Sequence, residues 1–417
     1  MHTSKEEFYQ PYAVMLGIYG IFLVFAFLSA SPEELWEGLI KIVTSRSVLI
    51  TDYIGIGGIS AALINVVLVG CIGIFMLIRI KVKPNGATIM ALWLTTGFSF
   101  FGKNIFNMIP ITFGVWLYSK IQKEPFIRYY LIALLAATIS PAVSEISFLN
   151  LWNRPLNIFF GILLGILCGF IFPAVSSFCV RAHDGYNLYN MGFTGGLIST
   201  FIMAMLNSIG IEVEPMSIWS QGNNQVLAML LYIVSLFLIG CGILLGDSKK
   251  ILPDLKNITK HSGRLASDFY ILFGQTTYIN MGVLCALATT ILLFLGAGLN
   301  GPTLAGIFTI VGFGSFGKHV KNILPLMIGS IFGTFINQWD ITSPTNTLAI
   351  LFSTGLSPIA GQFGPFWGTV AGFLHVNFVS RVRYLNSGLN LYNNGYAAGF
   401  VALLLIPIIS IFRKDRT

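Results

Sequence analysis

Residues 85–114 and residues 300–329 are two copies of one pattern. Aligned without a gap, they are identical at eleven positions, whereas ordinary residue frequencies would give roughly two identities. The identical pairs are Asn85/Asn300, Gly86/Gly301, Thr88/Thr303, Gly97/Gly312, Phe98/Phe313, Phe101/Phe316, Gly102/Gly317, Lys103/Lys318, Asn107/Asn322, Pro110/Pro325 and Gly114/Gly329. The copies lie 215 positions apart, about half of the chain. The sequence therefore predicts two related halves.

The similarity extends on both sides of this pattern. Upstream, Tyr53-Ile54 aligns with Tyr278-Ile279 if the first half carries a ten-residue insertion. Downstream, Ser140-Pro141 matches Ser357-Pro358, and the Gly-x-Asn-Leu-Tyr-Asn-x-Gly-x-x-x-Gly motif occurs at residues 185–196 and 388–399. We infer that the duplication covers nearly the whole of each half.

The composition is that of an integral membrane protein. Hydrophobic residues make up 55% of the chain and charged residues 10%, with a mean hydropathy of +0.79. Apolar runs long enough to span a bilayer recur at residues 12–30, 53–78, 156–180, 226–246 and 395–412. The net charge of +8 is therefore no indication of nucleic-acid binding. The five cysteines lie inside apolar runs without paired spacing, which predicts neither disulfides nor a zinc site.

Each half divides into about seven apolar segments. The sequence thus predicts an all-α polytopic membrane protein with two repeats, residues 12–211 and 226–412. The remaining parts are the termini 1–11 and 413–417, the linker 212–225 and a loop at 247–270. The segments are 12–30, 53–78, 88–102, 104–121, 129–147, 156–180 and 188–211, then 226–246, 276–297, 303–317, 319–337, 346–361, 365–381 and 395–412.

An odd number of segments inserts the second half upside down relative to the first. Lys and Arg accumulate in cytoplasmic loops, and alternation through fourteen segments puts 18 of the 24 on one side. The six on the other side are Lys41, Arg46, Lys103, Arg154, Arg381 and Arg383. If the third and fifth segments of each half only re-enter the membrane, the Lys and Arg residues divide into 14 on one side and 10 on the other. The tally favours inverted repeats with both termini in the cytoplasm.

The hairpin around Lys103 is the first candidate site. Residues 88–121 must enter and leave the bilayer within 34 residues, whereas two full helices need about 40. The tip is expected to break at Gly102, and the helix that follows opens with Asn104 and Asn107. Its free N–H groups and Lys103 suit an anion or a carbonyl oxygen. Alternatively, Lys103 extends to the interface and contacts lipid phosphate.

The second half repeats this hairpin from the opposite side of the membrane. The corresponding residues are Gly317, Lys318, His319 and Asn322. Inversion puts Lys103 and Lys318 on opposite sides of the membrane. A role in marking the cytoplasmic side therefore does not explain both lysines. We predict that both hairpins contribute to solute binding.

Paired helix breaks form the second candidate site. A proline inside an apolar segment frees carbonyl groups, and Ser140-Pro141 and Ser357-Pro358 place such a break in corresponding segments. Paired breaks of this kind indicate a transporter's central site, although a proline also kinks an ordinary membrane helix. Glu145 follows the first break and is predicted either to couple transport to an ion or to lie at the interface.

The repeated Asn-Leu-Tyr-Asn motif is the third candidate. Its glycines allow close helix approach, but packing does not explain Asn187, Asn190, Asn390 and Asn393. Side-chain amides beside tyrosine suit either a small polar solute or helix capping. We include the four asparagines in the predicted solute site.

Two elements resemble motifs of urea transporters. These are Tyr-Asn-x-x-x-x-Gly at Tyr189–Gly195, and Asn-x-x-Pro-(Ile/Leu)-x-x-Gly at Asn107–Gly114 and Asn322–Gly329. The resemblance implies inverted halves around a central pore. This chain departs from that family by having about seven segments per half, instead of five plus a pore helix, and by its two lysines. As a whole it resembles a bacterial multi-pass family with a domain of unknown function. The inverted 7+7 count is similar to that of nucleobase and sulfate transporters.

The sequence predicts a transporter of a small polar or anionic solute, working by alternating access around a midplane site. The alternatives are a urea-transporter-like channel for a neutral solute and a membrane scaffold without transport. No catalytic residue, metal site or cofactor is expected, because acids and histidines do not cluster. The expected partners are membrane lipid and the solute, and a homo-oligomer is compatible with the sequence. The expected location is the inner membrane.

Overall fold

The computed structural model describes residues 5–149, 151–213, 216–265 and 267–412, and within these ranges the chain is a set of helices joined by short loops. Residues 1–4 and 413–417, which belong to the two predicted cytoplasmic termini, lie outside the described residues. The helices before the linker are α1 (Lys5–Ser29), α2 (Pro32–Thr44), α3 (Tyr53–Arg79), α4 (Gly86–Phe98), α5 (Ile105–Ile121), α6 (Tyr130–Leu135), α7 (Pro141–Phe148), α8 (Arg154–Ala182) and α9 (Asn190–Ser208).

The second half follows the same order of long and short helices, with one additional short helix, α12. They are α10 (Asn224–Leu245), α11 (Ile251–Ile258), α12 (Phe269–Phe273), α13 (Thr276–Phe294), α14 (Gly301–Phe313), α15 (Val320–Ile336), α16 (Pro344–Phe352), α17 (Ser357–Phe363), α18 (Pro365–Val382) and α19 (Asn393–Phe412). Short 3₁₀ segments lie at Phe126–Arg128, Ala136–Ile139, Ser353–Leu356 and Arg383–Leu385.

Seven helices of the described chain are long and apolar enough to cross a membrane. They are α1, α3, α8, α9, α10, α13 and α19, and the pair formed by α6 and α7 makes an eighth span if it is counted as one helix bent by 45°. Large apolar side chains such as Phe27, Phe75, Phe201, Leu244 and Phe294 are exposed on these helices, as expected for a surface in contact with lipid. The prediction of a multi-pass helical membrane protein is confirmed.

Four further apolar helices, α4, α5, α14 and α15, are shorter than these spans. The two shortest, α4 and α14, form the centre of the protein. At 1.5 Å per residue, the thirteen residues of α4 or α14 extend about 20 Å, less than the hydrocarbon core of about 30 Å. Every residue of both helices is buried. The helices are antiparallel, because Gly97 near the end of α4 approaches Ala305 near the start of α14, while Gly312 approaches Trp93.

Aspartates exchanged between the halves cap these two helices. Asp52, just before α3, accepts a hydrogen bond from the Gly301 N–H at 3.1 Å, at the start of α14. Asp268, just before α12, shares the single Gly86 N–H between its two carboxylate oxygens, at 2.9 and 3.0 Å, at the start of α4. A carboxylate at a helix N-terminus satisfies free N–H groups and complements the helix dipole. Each half therefore completes a helix of the other half.

The upstream alignment of the two halves needs a correction. The side-chain amide of Asn65 donates to the carbonyls of Ser99 and Lys103 at 2.8 and 3.0 Å. Asn280 donates to the carbonyls of Gly314 and Lys318 at 2.8 and 2.9 Å. These asparagines keep the 215-residue offset of the repeat, so the ten-residue insertion proposed from the Tyr53/Tyr278 match is wrong. The match rested on one tyrosine–isoleucine pair and a glycine, and tyrosine–isoleucine pairs occur four times in the chain.

Candidate functional site

Both hairpin lysines are buried at tips that turn on a glycine. Gly102 and Gly317 have φ angles of 76° and 110°, in the region where a side chain would be strained. Lys103 and Lys318 follow them and are 2% and 0% exposed. Their side-chain nitrogens therefore point into the protein and not to its surface.

Lys318 lies against aromatic rings and hydroxyl groups. Its Nζ donates to the hydroxyls of Tyr189 and Thr354, the latter at 2.8 Å. It also lies 4.3 Å from the ring centre of Tyr189 and 5.1 Å from that of Phe313. Ring faces attract cations, but neither they nor hydroxyls neutralise the charge.

Lys103 has different partners. Its Nζ donates to the Thr95 hydroxyl at 3.3 Å and to the Leu134 carbonyl at 3.2 Å. The ion pairs found among the described residues involve neither lysine. A buried cation without a carboxylate is costly, so an anion close by would lower the energy of both sites.

The polar residues that follow the lysines hold the hairpins together. Asn104 and Asn107 form a reciprocal helix cap, with N···O distances of 2.9 and 3.1 Å. Asn107 also donates to the Gly102 carbonyl at 2.9 Å, as Asn322 does to the Gly317 carbonyl at 2.9 Å. His319 is the residue directly before α15, and its Nε2 lies 2.9 Å from the His261 carbonyl oxygen. These predicted solute ligands are thus bonded within the protein.

Two of the four motif asparagines bond across the interface between the halves, and the other two bond within their own half. Asn187 donates to the Gly395 carbonyl and Asn390 to the Gly192 carbonyl, both at 3.0 Å. Asn190 bonds to His183 at 3.0 Å, and Asn393 accepts from Asn386 at 2.8 Å. The exchange brings Tyr189 and Tyr392 together, with ring centres 4.6 Å apart.

The helix breaks contact the hairpins. Residues 136–139 and 353–356 form 3₁₀ turns, and helices start at or beside Pro141 and Pro358. The Ser140 hydroxyl donates to the Gly102 carbonyl at 3.0 Å. The Ser357 hydroxyl is buried and makes no hydrogen bond in the described part of the chain. Each break therefore lies next to a lysine: Leu134 binds Lys103, and Thr354 binds Lys318.

Glu145 is joined to Arg46. Its Oε1 accepts from Arg46 at 2.5 and 3.0 Å. The carboxylate side chain is fully buried, whereas the arginine side chain is 30% exposed. The pair links the loop after α2 to α7, so Glu145 is held by a specific partner.

A cavity of about 260 Å³ reaches the paired tyrosines from one side. Val180, Gly185 and Leu265 lie at its mouth, where Val180 and Leu265 are exposed. Tyr392 and Phe313 are buried at its closed end. Around that end Phe98, Phe313, Phe352, Tyr189 and Tyr392 form an aromatic cluster, with ring centres between 4.6 and 6.4 Å apart.

Comparison with protein families gives one match. The family described as "Protein of unknown function (DUF1576)" matches residues 31–208 and 247–411. The chain belongs to this family. No match was found among curated proteins or among solved structures. The expected resemblance to a family with a domain of unknown function is confirmed, and the match supplies no activity.

Several residues that shape this DUF1576 site were missed in the sequence. Tyr189 and Tyr392 belong to the repeated Asn-Leu-Tyr-Asn motif, of which only the asparagines are predicted from the sequence as site residues. Asp52, Asp268, Asn65 and Asn280 hold the hairpins, and their signal was the near-constant offset between the halves. No group of three or more metal-ligating side chains occurs among the described residues.

Proposed function

We propose that this protein transports a small polar or anionic solute across a membrane. The solute passes between the two halves, near the buried lysines and the paired tyrosines. Lys318 acts from behind Tyr189, and Lys103 lies at the corresponding hairpin of the other half. Transporters of this class bind their solutes near the midplane, where helices are short or broken.

One observation carries the proposal: a buried lysine without a carboxylate lies beside a cavity that is open on one side. Lys318 is fully buried and bonded to Tyr189, and Tyr189 lines the cavity. An ionisable side chain inside a membrane protein is costly and is by default a functional group. A scaffold would have no use for such a group next to an open path.

The side of the protein at Leu265 is open and the side at Leu49 is covered, and this difference supports alternating access. Leu49 and Leu265 each lie three residues before a capping aspartate, yet Leu265 is 68% exposed and Leu49 is 6% exposed. The linker covers the Leu49 side, because Ile218 exchanges backbone hydrogen bonds with Ile50 and Asp52 at 3.0 and 3.2 Å. We infer that the solute enters past Leu265, and that the linker and the Leu49 loop open in the other state.

The proposal includes inversion of the repeats and both termini in the cytoplasm. Arg79 and Phe294 are the last residues of α3 and α13, lie 215 positions apart, and are exposed. In a cysteine-free variant, we expect Arg79→Cys to react with a membrane-impermeant maleimide from the cytoplasmic side. Phe294→Cys should react only from the opposite side. Labelling of both from one side would contradict inversion.

Uptake into proteoliposomes tests the function and separates the alternatives. The panel is sulfate, benzenesulfonate and urea, with protein-free vesicles as the control. We expect saturable uptake of an anion. Rapid, non-saturating uptake of urea would favour the channel, which the motif resemblance to urea transporters supports. No uptake of any solute would favour a scaffold.

A further inference from the structure

We propose that Glu145 binds a proton from the side opposite the cytoplasm, and that this proton releases the Leu49 loop, residues 45–52, which covers that side. This inference rests on the proposed function, because it names what opens the covered side during alternating access. Three features carry it: the place of the Arg46–Glu145 ion pair, its absence from the open side, and a carboxylate oxygen without a partner.

The ion pair fastens the Leu49 loop to α7. Arg46 lies three residues before Leu49, between α2 and α3, and Glu145 lies on α7. Both hydrogen bonds of the pair end on Oε1 of Glu145, at 2.5 and 3.0 Å. Further along, the loop is held by backbone hydrogen bonds, such as that from Leu49 to Gly388 at 2.8 Å. The hold on the loop therefore depends on the charge of Glu145.

This pair has no counterpart on the open side. The corresponding residues are Ser262, six residues before the capping aspartate, and Gln362, four residues after the proline of the helix break. Neither is ionisable. The open side has an ion pair elsewhere, between Arg264 and Asp184, but the Asp184 side chain is 63% exposed. Water solvates that carboxylate, so a proton gains little there.

The Glu145 carboxylate offers a place for a proton. Its side chain is fully buried, and Oε2 makes no hydrogen bond in the described part of the chain. A buried charged oxygen without a donor is unfavourable, and the loss of hydration largely offsets the attraction within a buried ion pair. A proton on Oε2 makes the carboxyl group neutral and ends the ion pair. Arg46, which is already 30% exposed, can then return to water together with the loop.

Arg46 is the charged group that contacts Glu145 among the described residues. The other ionisable side chains described on α5, α8 and the linker, which pack around α7, are Tyr118, Lys120, Arg154, Cys168, Cys179, Arg181 and Glu212. The charged members of this set are exposed, so water screens them. In the proposed topology Arg46 lies on the side opposite the cytoplasm, and the proton therefore arrives from there.

Cysteine labelling of the purified full-length protein tests the inference without a solute. In a cysteine-free background, the reporters are Leu49→Cys on the covered side and Leu265→Cys on the open side. Glu145→Gln imitates the protonated carboxyl group, because it has nearly the same shape and no charge. In this variant we expect Leu49→Cys to react with a maleimide at least about tenfold faster, a shift of about 1.4 kcal/mol. Leu265→Cys should react more slowly.

The matched control is Glu124→Gln. Glu124 also forms an ion pair, with Arg128, but this pair lies at the surface and within one turn. Both reporters should react in this variant as they do in the unchanged background. Arg46→Gln removes the other partner and should act as Glu145→Gln does. The melting temperature in detergent checks that each variant is folded.

Acid should have the same effect while Glu145 is present. The pH is lowered from about 8 to about 5, the range in which proteins are generally most stable. The rate at Leu49→Cys is divided by the rate at the exposed Glu33→Cys, which corrects for the reactivity of the thiol. We expect this ratio to rise with acid in the protein that has Glu145, and to stay constant in Glu145→Gln.

Two results would overturn the inference. One is a ratio that does not change with acid, and the other is the same rise in Glu145→Gln, which would place the proton on another group. Because labelling needs no solute, either result can occur while uptake is normal, and the proposed function then stands. Absence of uptake together with the expected labelling would instead contradict the proposed function alone.

Discussion

Replacing Lys318 by methionine is expected to reduce anion uptake by about 30-fold or more, without unfolding the protein. Loss of one partner from a buried charge interaction typically costs 2–5 kcal/mol, and about 2 kcal/mol corresponds to that factor. The fold should tolerate the change, because Tyr189 and Thr354 are already bonded to each other at 3.0 Å. Methionine also removes a buried ionisable group that has no carboxylate partner.

The measurement is initial uptake of sulfate or benzenesulfonate, whichever the wild type transports faster, together with the melting temperature in detergent. Lys321→Met is the matched control, since Lys321 is exposed on α15 three residues further on. We expect the control to transport normally. Unchanged uptake in Lys318→Met would remove the lysine from the mechanism, and a large fall in melting temperature would make it structural.

Replacing Asp52 by alanine is expected to lower the free energy of unfolding by about 3 kcal/mol or more. The buried carboxylate accepts from the backbone N–H groups of Ile54, Ser220 and Gly301 at 2.9, 2.9 and 3.1 Å, and from the Ser220 hydroxyl. Each buried donor left without a partner costs about 1–3 kcal/mol. The loss disrupts the start of α3, the start of α14 and the linker together.

Reversible denaturation in mixed micelles measures this effect. Asp268→Ala is the comparison, because Asp268 caps α4 in the same way but is only partly buried. Water can replace the lost acceptor there, so we expect a smaller loss. If Asp268→Ala were as destabilising as Asp52→Ala, burial would not be what makes the Asp52 cap strong.

Much of the architecture could be predicted because the duplication shows each sequence pattern twice, once in each half. The hairpin tips at Gly102 and Gly317, and the breaks before Pro141 and Pro358, were visible in both copies. The register of α3 against α13 was misread, since apolar segments contain few distinctive residues. Asn65 and Asn280 would have fixed it.

The contacts of the predicted site residues could not be predicted, because an asparagine has the same chemistry whether it binds a solute or a carbonyl. Asn187 and Asn390 were predicted as solute ligands, and they donate to backbone carbonyls of the opposite half. Those contacts join segments about 200 residues apart and depend on how the halves pack. The same packing brings Tyr189 and Tyr392 together.

The side on which the cavity opens could not be predicted from the sequence either. Leu49 and Leu265 occupy corresponding positions, and the linker covers only the first. A linker occurs once in a duplicated chain, so the repeat pattern contains no information about it. The difference between the two sides is therefore a property of the assembled fold.

Solute counterflow tests the central claim most directly. Proteoliposomes are loaded with unlabelled sulfate or benzenesulfonate, whichever the protein transports, and diluted into a trace of the labelled anion. If the halves expose one site alternately to the two sides, labelled anion should accumulate transiently above its equilibrium level, because exchange is faster than net efflux. If the label only approaches equilibrium, as in protein-free vesicles or through an open channel, alternating access is contradicted.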